Sequence, residues 1–158
     1  MRVISKAIFY ILSMALVTFS VGASPQLPRF QEYREPISHL KDGAKPIIIS
    51  ERDREYKTRV NEASTQSPNF AGHYVLSSFG CGSACIMSFA LNKKTGEITW
   101  LPFTVCCWDN TDSNFEPIAF HKNSRLIVVT GSRNEQGKGV YYYEFKQGKF
   151  VLIRQIEQ

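Results

Sequence analysis

Tyr74-Val75-Leu76-Ser77-Ser78-Phe79-Gly80-Cys81-Gly82-Ser83-Ala84-Cys85-Ile86-Met87-Ser88-Phe89-Ala90-Leu91 decides the fold class. Two runs rich in aromatic and branched apolar residues, 74–79 and 86–91, flank a short stretch of small residues. Met87, Phe89 and Leu91 alternate with Ser88 and Ala90, the period of a strand with one fully buried face. The same signature returns at 98–101, 126–130, 140–145 and 150–156, with turn residues between the runs. Residues 92–96 and 146–149 read as hairpin loops, which makes their flanking strands antiparallel neighbours. Residues 125–129 are apolar on both faces and predict a central strand covered on two sides. The glycine-rich 131–139 stretch lacks a dinucleotide-binding pattern and reads as a flexible loop between two strands.

Upstream of this region the period changes. Ser50 is placed to cap a helix with Glu51 and Asp53 in its first turn, and Tyr56, Val60 and Ala63 fall on one face, so one helix is predicted over 51–63. Residues 24–45, rich in Pro, Gly and charge, read as an extended lead-in that tacks onto the body through Leu27, Phe30, Tyr33 and Ile37. The expected class is α+β: mainly an antiparallel β meander, partly propeller-like or sandwich-like, with one N-terminal helix. Residues 116–120, 123–125, 139–145 and 148–153 resemble a single propeller blade, and the chain is too short for the several blades a propeller needs.

The first 23 residues carry Arg2 and Lys6, then an apolar run, then Val21-Gly22-Ala23, the order of a secretory signal. Cleavage there predicts a periplasmic or secreted protein with no stable membrane insertion, and no cysteine follows to carry a lipid. The remaining 135 of 158 residues, 46–158 forming the body, suit one domain. The signal holds two of the 19 basic residues and none of the 14 acidic ones, leaving a surplus of three positive charges. That surplus is small and evenly spread, which argues against a nucleic-acid partner.

An exported chain with four cysteines, Cys81, Cys85, Cys106 and Cys107, is expected to use them as staples. Adjacent cysteines rarely bond each other because the peptide between them must distort, so cross-bridges from Cys81 and Cys85 to Cys106 and Cys107 lead the pairings. Each would contribute roughly 3.5 kcal/mol in the chain-entropy model. A local Cys81–Cys85 bridge is the next pairing. The Cys-Gly-Ser-Ala-Cys run resembles the papain-type nucleophile motif, with an extra residue and no aromatic. With His121 it resembles the copper-delivery proteins of thioredoxin-like fold, without their strand-helix-strand frame.

His73 sits among apolar neighbours, sharing a strand face with Ala71 and Val75, and reads as a hydrogen-bonded core residue with a site role as the alternative. His39 and His121 read as surface residues. Asp109, Asp112 and Glu116 follow the cysteine pair without calcium-loop spacing, so ordinary turn chemistry is expected there. No cofactor, metal site or catalytic set is expected. Trp108, Asp109, Arg133 and Tyr142 form the candidate protein-binding surface.

At Asn69-Phe70-Ala71-Gly72-His73-Tyr74 and Gly80-Cys81-Gly82-Ser83-Ala84-Cys85, followed by Lys94-Thr95-Gly96, the chain resembles a family of small exported bacterial proteins without an established activity. The resemblance spans about residues 52–153 and implies compartment and domain extent. The expected function is a non-enzymatic, exported domain that binds another protein, as an inhibitor or immunity protein against an envelope-active toxin. The alternative is an envelope thiol or metal protein, or a hydrolase, using Cys81, Cys85 and His73.

Overall fold

The computed structural model describes residues 26–40, 42–110, 112 and 114–157, so the secretory signal expected over 1–23 lies outside the described residues. Two short helices, α1 (Glu51–Glu55) and α2 (Lys57–Ser64), precede eight strands: β1 (Tyr74–Gly82), β2 (Cys85–Asn92), β3 (Ile98–Trp100), β4 (Val105–Cys106), β5 (Ile118–Phe120), β6 (Leu126–Arg133), β7 (Gln136–Lys146) and β8 (Lys149–Glu157). They form one sheet in the order β1-β2-β4-β6-β7-β8, with β3 also on β2 and β5 also on β6. Every pairing is antiparallel, as α+β with a β meander requires.

Both expected hairpin loops join antiparallel neighbours, β2 to β3 and β7 to β8. The blade-like part is real as a local meander, since β5, β6, β7 and β8 pair in succession. β4 ties it to the β1–β2 hairpin instead of to a second blade. At two residues, β4 is too short to show a period in the sequence.

The helix over 51–63 is interrupted. Ser50 caps it as expected: its Oγ accepts from Asp53 N at 3.1 Å, and the Asp53 carboxylate accepts from Ser50 N at 2.7 Å. Tyr56, at φ −101°, then leaves helical geometry and divides α1 from α2. Its ring packs 5.2 Å from Phe79 and 5.6 Å from Trp100, so aromatic packing has overridden helix continuity at this residue. Val60 and Ala63 of α2 are buried with Val75, Phe89 and Leu91, covering one face of β1 and β2.

The other face closes on itself. β1 and β7 lie four strand spacings apart in the sheet order, about 19 Å if the sheet were flat. Yet the Tyr74 and Phe145 rings are 4.8 Å apart, and Thr99 Oγ1 of β3 donates to Gly148 O in the β7–β8 turn at 3.1 Å. The sheet is therefore strongly curled, still open, around a cluster that includes Phe70, Leu76, Val105, Ile127, Val129, Tyr141, Tyr143 and Phe145.

Residues 131–139 are no flexible loop. β6 and β7 continue through them to a two-residue turn, with Asn134 at φ +51° and Glu135 at φ +63°, the left-handed pair that matches strand twist. Its glycines mark close approach: a Cβ on Gly131 (φ +127°) would sit 2.3 Å from Cys106 O, and one on Gly139 2.2 Å from Ile156 O. Gly131→Ala is expected to cost about 2 kcal/mol of stability in urea denaturation, through strain and displacement of β4. An unchanged unfolding midpoint would show that β4 moves freely.

The lead-in lies across the strand ends. Tyr33 O accepts from Arg125 N at 2.8 Å, Glu35 N donates to Asn123 O at 2.9 Å, and Ser38 N to Gly72 O at 2.8 Å. Phe30 stacks on His121 with centroids 4.1 Å apart, and Tyr33 is half-buried, whereas Leu27 and Ile37 stay exposed.

Candidate functional site

The cysteines meet where β1, β2 and β4 end together. Cys81 and Cys85 are joined by a disulfide across the β1–β2 hairpin, with Cα atoms 5.2 Å apart. Cys106 and Cys107 are free thiols, the first buried and the second exposed. The cross-bridges expected from Cys81 and Cys85 to Cys106 and Cys107 are thus corrected to the local pairing. The register of β1 on β2 shifts between Gly80 and Gly82, which sets Cys81 within bridging reach of Cys85. Cys85 also faces Cys106 directly, as its register partner across β2 and β4. Burial, reinforced by the neighbouring Cys107, pushes the Cys106 thiol above its ordinary range.

The candidate binding surface divides. Trp108 is half-buried against the core, and Asp109 is exposed and paired with Lys138. With Asn110, Phe115 and Gly139 they border a cleft of about 420 Å³. Asn110 and Asp112 side chains accept from backbone N–H groups two residues on, the turn chemistry expected of this segment.

Arg133, half-buried, and Tyr142, buried, lie outside that cleft. The Arg133 guanidinium lies 3.8 Å from the Tyr141 ring centroid and its Nη1 donates to Tyr143 Oη at 2.8 Å, which holds it against β7. Tyr142 is 8% exposed, buried like Tyr141 and Tyr143 although on the opposite face of β7. β7 is an inner strand, and Val128 and Arg154 flank Tyr142 from both sides.

His73 is in a tight turn closed by the Phe70–Tyr74 bridge, with Ala71 (φ +43°) and Gly72 (φ +76°) left-handed, so it does not share a strand face with Ala71 and Val75. The ring lies half-buried, 4.4 Å from that of Tyr74. Together with Glu35, Tyr74, Arg125 and the β7–β8 turn it lines a cleft of about 250 Å³. Burial and the Lys94 charge push its pKa below the ordinary histidine value, against the pull of Glu35, so a neutral imidazole prevails at pH 7. Arg125 Nε lies 2.7 Å from Glu35 and its Nη1 is bound to Glu144, an ion-pair chain not visible in local sequence because its members lie on three separate elements.

Joint action of His73 with Cys81 and Cys85 fails on distance. His73 immediately precedes β1 and Cys81 lies near its far end, roughly 25 Å along an extended strand. The structure brings the four cysteines together and leaves His73 at the opposite end.

A further feature carries no local motif. β8 ends the sheet order, and none of its backbone groups bonds to another described residue beyond β7. Val151 (45%), Leu152 (39%) and Ile156 (38%) are exposed along it. Among the described residues no helix is long and apolar enough to cross a membrane. Compared with protein-family models, curated proteins and solved structures, the chain matches none.

Proposed function

We propose that this chain is an exported, non-catalytic domain that binds another protein in the bacterial envelope, acting there as an inhibitor or immunity factor, and that it captures its partner by strand addition to β8. The observation that carries the reading is the edge of β8, unpaired among the described residues, nine residues long with Val151, Leu152 and Ile156 exposed. An edge of unpaired N–H and C=O groups is a template for another strand, and native folds ordinarily blunt it with charge or bulges. β8 has one register shift against β7, yet its 150–153 run is Phe-Val-Leu-Ile. Main-chain pairing would supply affinity and the side-chain pockets specificity. Leader-like residues 1–23 and the Cys81–Cys85 bridge support an oxidising compartment outside the inner membrane.

Val151 and Ile156 pair with Glu144 and Val140, on the face of β7 opposite to the Tyr141 and Tyr143 core face. Charging them therefore disturbs the edge while sparing the core. Mature protein is expected to form a complex with an envelope protein, a toxin encoded beside it being the first to try, in which β8 amides gain hydrogen-exchange protection. The double variant Val151→Asp/Ile156→Asp should bind at least about tenfold more weakly, as loss of apolar contact implies. Failure to form any complex, or a complex indifferent to both substitutions, overturns the reading.

A further inference from the structure

We propose that the cysteine cluster is an intramolecular thiol–disulfide exchange site, in which Cys106 attacks Cys85 and the bridge passes from Cys81–Cys85 to Cys85–Cys106, releasing Cys81. This inference does not depend on partner binding at β8. Cys85 lies on β2, the middle strand, with its present partner Cys81 on β1 and Cys106 directly opposite on β4. Directly opposed residues of antiparallel strands have Cα atoms roughly 4.5 or 5.5 Å apart. Both values fall inside the range of about 4.4–6.8 Å that a disulfide accepts. The existing bridge spans 5.2 Å, so Cys85 has two partners at bridging distance and side-chain rotation separates the two isomers.

The exchange balances within the chain. Cys106 gives up its proton and its sulfur forms a bond to Cys85 Sγ. The Cys81–Cys85 bond breaks, and its electron pair leaves on Cys81 Sγ, which takes up a proton. One disulfide exists before and after, so no oxidant or reductant is consumed. The new bridge closes a longer loop, which constrains the unfolded chain more.

The consequence is a thiol moved from inside to outside. Cys106 is 6% exposed, whereas Cys81 adjoins the exposed tip Gly82-Ser83-Ala84. A released Cys81 is thereby presented to the disulfide of a second protein, while Cys106 is sheltered until it reacts. Because burial holds the Cys106 thiol protonated at neutral pH, exchange should accelerate as pH rises.

Oxidised mature protein, incubated at about pH 7 and about pH 9, trapped with N-ethylmaleimide and mapped without reduction, tests the site. A Cys85–Cys106 peptide with labelled Cys81 is expected, forming about tenfold faster per pH unit below the thiol pKa, and absent in Cys106→Ser. Cys81→Ser should carry the Cys85–Cys106 bridge from the outset. A wild-type map showing only Cys81–Cys85 at both pH values, or a new bridge running to Cys107, overturns the proposal. The wild-type and Cys106→Ser maps decide the matter without Cys81→Ser should that variant fail to fold.

Discussion

Phe70→Ala is expected to destabilise the protein by about 3–5 kcal/mol, a large part of the stability of a domain this size. Phe70 has no solvent exposure. Its ring meets Phe145 at 5.4 Å, Phe120 edge-on at 6.1 Å and Phe150 at 6.5 Å, joining the segment before β1 to β5, β7 and β8. Truncation removes apolar area and opens a cavity where the two ends of the curled sheet meet, and neighbours held by the sheet can collapse only partly into it. Urea unfolding measures the loss, and Phe70→Leu, which keeps much of the volume, should cost clearly less. A loss below about 1 kcal/mol for Phe70→Ala would mean that this aromatic cluster does not hold the curl.

Asp53→Ala is expected to cost about 3 kcal/mol, the sum of a lost cap and an unpaired indole N–H. Asp53 is 4% exposed, and its carboxylate accepts from Ser50 N at 2.7 Å, Ile49 N at 3.1 Å and Trp100 Nε1 at 2.8 Å. One residue therefore completes the capping box that Ser50 opens and ties α1 to β3 through Trp100. Burial alone would raise this carboxyl, but the hydrogen bonds from Trp100, Ser50 and Ile49 outweigh it and hold the pKa below the ordinary value. Folding thus favours the ionised form. The stabilisation is fully present above the unfolded carboxyl pKa near 4 and is lost as pH falls through the lower folded value. Urea midpoints measured from about pH 6 down to about pH 3 should fall more steeply for the wild type than for Asp53→Asn. Parallel curves would show that Asp53 makes no such contribution.

The strands and hairpins were legible because alternation, apolar runs and turn residues act over a few neighbours. Ser50 caps as its type predicts, and Phe89 and Leu91 are buried as expected, but Ser88 and Ala90 are buried too and Met87 only half, because β2 has a core on both faces. The glycines of 131–139 misled because glycine marks both mobility and close backbone approach, and only the Cys106 carbonyl beside Gly131 separates the two. Tyr142 is buried although it faces away from the Tyr141 and Tyr143 cluster, because alternation assigns a side chain to a face without saying whether that face is covered.

Local order in the chain determined the α+β class, the hairpins between β2 and β3 and between β7 and β8, and the helix start at Ser50. Tertiary structure decided the curl of the sheet, the Cys81–Cys85 pairing with Cys106 held in register, the separation of His73 from the sulfurs, and the open edge at β8. The physical reason is range. Periodicity and capping are set by residues a few positions apart, whereas register, closure and pairing depend on which distant strands share backbone hydrogen bonds and bury each other's side chains.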